Sequence, residues 1–221
     1  MIWLVLFFVC AIFNWVSVDR RWRLGELVTK PLALVLLILF FNEMVGWEGG
    51  RVWFGLGLVL SLAGDAFLLW VKRFFVPGLA AFLLAHVCYI IGLNQDAIQM
   101  QAWVLGLEVV VSAVGFTSYR AIRRGMTAHP ENEKMRLPIL AYCLIISLML
   151  LSAWACFFRA QWSAPAAWMV AMGASLFILS DFLLAYGLFV KPLRRGDLLV
   201  MATYHLAQAA IAVGVMLRYL G

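Results

Sequence analysis

The sequence predicts an all-α fold: a polytopic integral membrane protein, built as a bundle of eight transmembrane helices. Three observations predict it. Of the 221 residues, 66% are hydrophobic, whereas a soluble domain is roughly half apolar. Mean hydropathy is +0.98. Charged residues make up 13% of the chain and cluster between long apolar runs. No hydrophilic segment is long enough for a soluble domain, so residues 1–221 read as a single transmembrane domain.

A helix needs about 20 apolar residues to cross a bilayer, with a range of about 17–25. On that basis the spans fall at about 1–18, 31–47, 52–71, 77–95, 100–119, 137–158, 165–190 and 197–218. The run from Met1 to Val18 has no basic n-region and no small-residue cleavage site, so it is expected to be retained as the first span. A polar turn at Asn94, Gln95 and Asp96 separates the fourth span from the fifth. The seventh is long enough to tilt. Pro31, Pro77, Pro138, Pro165 and Pro192 all fall at expected span boundaries, so no broken-helix signature is expected.

Lys and Arg fix the expected orientation. Arg20, Arg21, Arg23 and Lys30 belong to the first loop and Lys72 and Arg73 to the third. The fifth has Arg120, Arg123, Arg124, Lys134 and Arg136, and the seventh Lys191, Arg194 and Arg195. The other side has Arg51, Arg159 and Arg218. Both termini are therefore expected outside and the basic loops in the cytoplasm, in a cell (inner) membrane. Trp47, Trp53, Trp103, Trp162 and Trp168 fall near the outer ends, as an aromatic belt would. The basic loops account for the net charge of +6 without a nucleic-acid partner.

Two stretches carry the chemistry. Gly57–Trp70 (GLVLSLAGDAFLLW) holds Asp65 in an apolar run, and Gly173–Tyr186 (GASLFILSDFLLAY) holds Asp181. In both, a Gly stands eight positions before the Asp and a Phe-Leu-Leu follows. The third and fourth spans faintly resemble the seventh and eighth, as a parallel repeat would. A carboxylate in hydrocarbon is costly and marks a functional site by default. At 1.5 Å per residue, Asp65 lies about 9 Å and Asp181 about 14 Å in from the cytoplasmic end. His86 falls about 14 Å in, and Tyr204 and Gln208 about 10–17 Å in.

Neighbouring polar residues join them by helical spacing. Ser61 is one turn before Asp65 on the same face and can donate to its carboxylate. Ser180 precedes Asp181 and can bond back to its own backbone. His86 and Tyr89 share a face, as do Tyr204 and Gln208. A lone His is more often a satisfied core residue, but His86 shares a layer with two carboxylates. His205 points about 100° away from Tyr204, at one helical step. Glu108 lies deep in the fifth span, and its surroundings repeat nothing else in the chain.

Other chemistries lack their signatures. There is no nucleotide loop, GxSxG elbow or zinc-protease motif. Cys10, Cys88, Cys143 and Cys156 have no metal-type spacing and read as packing residues. No HxxxH or HxxE spacing supports a metal at His86, Asp65 and Asp181, so neither metal nor cofactor is expected. The HPENEK stretch from His129 reads as a solvated loop.

Five segments occur in order: Lys30-Pro31, SLAGD at 61–65, GLAAFLLAHVCYIIG at 78–92, GASLFILSDFLLA at 173–185 and TYHLAQ at 203–208. As a set spanning most of the chain, they resemble the YhhN/TMEM86 family, whose characterised members are lysoplasmalogenases. The fifth span and the loop after it match least. The resemblance implies an eight-helix membrane enzyme that hydrolyses the vinyl ether of lysoplasmenyl-ethanolamine or -choline. The products would be a fatty aldehyde and a glycerophospho-alcohol. Its partners would be the lysophospholipid and the membrane lipids. No role is carried onto His205.

Two carboxyls suit that reaction. A vinyl ether is labile to acid: protonation of its β-carbon gives an oxocarbenium ion, water adds, and the hemiacetal collapses. The chemistry needs one protonated acid and one anion. Two nearby carboxyls in a dry site cannot easily both ionise, so Asp65 and Asp181 are expected to act as a dyad sharing one proton. Ser61, His86, Tyr89, Ser180, Tyr204 and Gln208 would polarise water or hold the glycerol. Lys30, with some of Lys72, Arg73, Arg194 and Arg195, would meet the phosphate. The rival reading is a small proton- or cation-coupled transporter, because intramembrane Asp pairs also carry ions.

Overall fold

The computed structural model describes residues 1–97, 102–127 and 130–221. The side chains of Lys72 and Trp103, and His129 as a whole, lie outside the described residues. Every regular element among the described residues is helical: α1 (Ile2–Asp19), α2 (Arg23–Met44), α3 (Arg51–Leu68), α4 (Val71–Leu93), α5 (Ala102–Thr127), α6 (Arg136–Trp154), α7 (Ala164–Phe189) and α8 (Gly196–Leu220). A 3₁₀ turn at Pro130–Met135 leads into α6, and another at Ala155–Phe158 follows it.

Among the described residues, seven helical stretches are long and apolar enough to cross a membrane. They belong to α1, α2, α3, α4, α6, α7 and α8. Large apolar side chains also cover the outside: Phe13, Leu24, Val109, Phe116 and Leu137 are all exposed. Helices satisfy their own backbone groups, which is what a hydrocarbon solvent demands. The chain is a polytopic membrane protein.

Two helices begin earlier than the spans expected at 31 and 77. α2 starts at Arg23 and α4 at Val71, so Pro31 and Pro77 lie inside helices and not at their boundaries. The consequence differs between them. A proline ring presses on the carbonyl four residues back and removes a hydrogen bond. In α4 the backbone leaves helical geometry at Phe74 (φ −119°, ψ 26°), just ahead of Pro77. The helix is kinked there, ahead of the span expected from 77, and runs on from the kink to Leu93. Pro165 stands in the first turn of α7, where a missing N–H costs nothing.

α3 packs on α4 and α7 on α8 more extensively than other pairs. The glycine eight positions before each Asp makes this possible. A Cβ on Gly57 would lie 2.3 Å from the Tyr89 ring of α4, and one on Gly173 would lie 2.9 Å from the Ala207 carbonyl oxygen of α8. Small residues let membrane helices approach this closely. Each Asp thus rides on a helix held tightly to its successor.

The end of the bundle away from the basic loops is stapled by charge. Buried Arg159 donates to the Asp96 carbonyl at 3.0 Å and to Asn94 Oδ1 at 2.5 Å. Arg218 of α8 pairs with the Asp96 carboxylate and lies over the Trp162 ring at 4.6 Å. The polar turn after α4 is thereby tied to the ends of α6 and α8. The third cation on this face, Arg51, is engaged as well: it donates to the Val45 carbonyl at 2.7 Å and pairs with Glu48 at 3.3 Å.

Candidate active site

Asp65 is almost wholly buried on α3, with 1% of its surface exposed. Its two oxygens have separate partners. Lys30 Nζ of α2 lies 3.5 Å from Oδ1. The Tyr204 hydroxyl of α8 donates to Oδ2 at 2.9 Å. Behind Tyr204 the chain continues: Gln208 Nε2 donates to the Tyr204 oxygen at 3.4 Å, and the Tyr89 hydroxyl of α4 donates to Gln208 Oε1 at 2.7 Å. Three donors in series, from Tyr89 through Gln208 and Tyr204, all point toward the Asp65 carboxylate. Four helices converge on one acid.

Asp181 of α7 has different company. The Tyr142 hydroxyl of α6 donates to Oδ2 at 2.5 Å. His86 Nε2 of α4 stands 3.9 Å from the same oxygen. The His86 ring is wedged edge-on against Phe177 and Tyr142, with centroids 4.7 and 5.3 Å away. Neither ring nitrogen of His86 has a hydrogen-bond partner among the described residues. The Asp181 side chain keeps 17% of its surface, and that surface faces a cavity.

Both carboxyls line that cavity, whose volume is about 380 Å³. Lys30, Ser180 and Tyr204 line it too, and Arg21, Arg23, Glu26 and Asp197 carry it to the basic-loop end of the bundle. Of the sequence-derived candidates, Ser61, His86, Tyr89 and Gln208 are not on its wall. They stand behind it. Ser61 does not donate to Asp65 as its spacing suggests: its Oγ is buried and unpartnered among the described residues. Ser180 reaches across to the Val200 carbonyl of α8 at 2.9 Å and not to its own helix. Lys30 is buried against Asp65 and does not stand free at the mouth. Arg73 lies over the Phe74 ring, and Arg195 pairs with Asp19 at 3.2 Å. His205 accepts from Trp15 Nε1 at 3.0 Å, a tie between α8 and α1.

Tyr142 is the residue that sequence reasoning missed. Its signal was depth: six residues into α6 puts it about 9 Å from the basic-loop end, level with Asp65. Among the described residues no cluster of His, Cys, Asp and Glu could hold a metal ion.

The YhhN family model matches residues 25–215. The chain belongs to the YhhN family. This family member is 31% identical over 218 residues to the lysoplasmalogenase TMEM86B of Mus musculus, covering 97% of its own chain and 86% of the mouse protein. It is 33% identical over 202 residues to the lysoplasmalogenase TMEM86B of Homo sapiens, covering 91% and 80%. Against the uncharacterized membrane protein YhhN of Escherichia coli O157:H7 the identity is 27% over 205 residues, covering 90% and 92%. No solved structure matches this YhhN-family chain.

Proposed function

We propose that this YhhN-family protein is a lysoplasmalogenase. It hydrolyses the vinyl ether of lysoplasmenyl-ethanolamine or -choline to a fatty aldehyde and a glycerophospho-alcohol, with Asp65 and Asp181 together forming its acid–base dyad. One observation carries the reading: two intramembrane carboxyls, from α3 and α7, line one cavity that runs to the basic end of the bundle. The relatives named lysoplasmalogenases supply the substrate class.

Each part of the substrate has a chemical match. The phosphate meets Arg21 at the mouth, while Arg23 is engaged by Glu26 at 3.0 Å. Lys30 supports Asp65 instead. Ser180 and Tyr204 border the space for glycerol and water. Ser61, His86, Tyr89 and Gln208 act from behind the wall, by fixing the acids and Tyr204. With the basic loops in the cytoplasm and both termini outside, substrate enters from the inner leaflet of the cell membrane.

The test is aldehyde release by purified protein in detergent, from lysoplasmenyl-ethanolamine in a coupled assay. The native protein is expected to turn over. Asp65→Asn and Asp181→Asn, each shown to fold, are expected to lose about 10²–10⁴-fold, the usual worth of a general acid or base. Near-normal turnover by either variant would remove the dyad.

A further inference from the structure

The polar cavity does not end at Asp181. An apolar cleft opens beside it between α4, α5, α6 and α7, and Leu68, Phe82, Asp181 and Leu184 line both spaces. Gly115, Cys143 and Ser147 line this cleft and also a further apolar space between α5 and α6, which reaches Leu151. Asp181 therefore stands at the joint between a polar chamber and an apolar slot. Asp65 lines the polar chamber only. A lysoplasmenyl lipid is divided the same way. Its glycerol lies on one side of the ether oxygen, and its vinyl carbons and hydrocarbon chain lie on the other.

Hydrogen-bond direction separates the two acids as well. Both Asp65 oxygens face donors: the Lys30 ammonium at Oδ1 and the Tyr204 hydroxyl at Oδ2. Such a carboxyl is built to be an anion. At Asp181 the Tyr142 hydroxyl occupies Oδ2, and Oδ1 has no donor among the described residues. Oδ1 is free to carry a proton. Among the described residues the one buried lysine of the chamber, Lys30, balances a single negative charge, and it sits on Asp65.

Resting on the lysoplasmalogenase reading, we infer that the hydrocarbon chain lies in the cleft beside Asp181, that Asp181 is the proton donor to the β-carbon, and that Asp65 is the anion that activates water. Asp181 gives its proton to the β-carbon, the π pair forms the new C–H bond, and an oxocarbenium ion results beside two carboxylates. Water attacks the α-carbon and its proton passes to Asp65, giving a neutral hemiacetal. Asp181 then takes the hemiacetal hydroxyl proton as the bond to the glycerol oxygen breaks. That oxygen receives the proton held by Asp65. Aldehyde and alcohol leave, and both acids return to their starting states.

The experiment uses full-length protein in detergent with lysoplasmenyl-ethanolamine, and sodium formate as a diffusible carboxylate. Asp65→Asn and Asp181→Asn are compared with and without formate, each checked for folding by gel filtration and thermal unfolding. Formate is expected to raise aldehyde release by Asp65→Asn about tenfold or more, a part of what a general base contributes. Asp181→Asn is expected to show no gain. If Asp65→Asn alone does not fold, the charge-balanced pair Lys30→Met with Asp65→Asn takes its place under the same criteria. Rescue of Asp181→Asn, or an equal response of the two variants, overturns the assignment while native turnover leaves the lysoplasmalogenase reading standing. Native protein that releases no aldehyde overturns that reading, and the assignment with it.

Discussion

The ammonium of Lys30 stands 3.5 Å from Oδ1 of Asp65, and both side chains are shut away from the surface. The pair joins α2 to α3 inside the bundle. Removing one partner of a buried ion pair costs about 3–5 kcal/mol, because the other charge is left uncompensated. Lys30→Met is therefore expected to lower the unfolding temperature in detergent sharply. Lys30→Met with Asp65→Asn should recover most of that loss, since no buried charge is then left alone. Turnover by the single variant should fall by roughly 100-fold or more, the scale of a disabled acid–base partner. A Lys30→Met protein with native stability and turnover would show that the pair is incidental.

Tyr142 and Asp181 are coupled differently. The phenol fixes one oxygen of the acid, while the ring packs on His86 with a centroid separation of 5.3 Å. Tyr142→Phe keeps the ring and deletes the hydrogen bond. Its stability cost should be small, about 0.5–1.5 kcal/mol. Aldehyde release should nonetheless drop by about tenfold or more, because a loosely held acid reaches the reactive geometry less often. The loss should appear in kcat with little change in KM. A change in KM alone would place Tyr142 in lipid binding instead.

Gly173 tests the close approach of α7 and α8. A methyl there would meet the Ala207 carbonyl oxygen at 2.9 Å and the Ile211 nitrogen at 3.0 Å, and backbone atoms cannot rotate away. Gly173→Ala is expected to destabilise by about 1–3 kcal/mol, the usual cost of overpacking. Thermal unfolding of the purified variant measures it. Because α7 carries Asp181 and α8 carries Tyr204, turnover should fall as well. A variant as stable as the native protein would show that the two helices can part at no cost.

The helices and the two acids could be read from the chain because each is a local property. An apolar run of span length, or an Asp within one, is visible to anyone who counts. The shared glycine spacing was visible too, but its meaning, a tight approach by the next helix at Gly57 and Gly173, came only with the fold. What stayed hidden depends on which helix faces which. Helical spacing offered Ser61 to Asp65, but the fold gives Asp65 to Lys30 and Tyr204, which lie far away in sequence. The same spacing joined His86 to Tyr89, and the fold sends one toward Asp181 and the other to Gln208. Lys30 read as a mouth residue because α2 was expected to begin at Pro31. The helix begins at Arg23, which carries Lys30 a further two turns into the membrane.

Cys143 offers a way to probe where the hydrocarbon chain runs. It lines both the cleft beside Asp181 and the space between α5 and α6, and it is only partly buried. Bulk added there projects into the passage between the two. Cys143→Phe should leave the polar chamber intact, because Cys143 does not line it. A long alkenyl chain must pass this point, whereas a short one ends before it. The expected outcome is a fall in kcat/KM of about tenfold or more for long-chain lysoplasmenyl-ethanolamine. Each misfitting methylene in an apolar site is worth about 1–3 kcal/mol, so several need not fit for the effect to appear. A short-chain substrate should be turned over at close to the native rate. Cys143→Leu, with less added bulk, should give an intermediate cut-off. Equal losses for all chain lengths would mean that the chain leaves the site by another route.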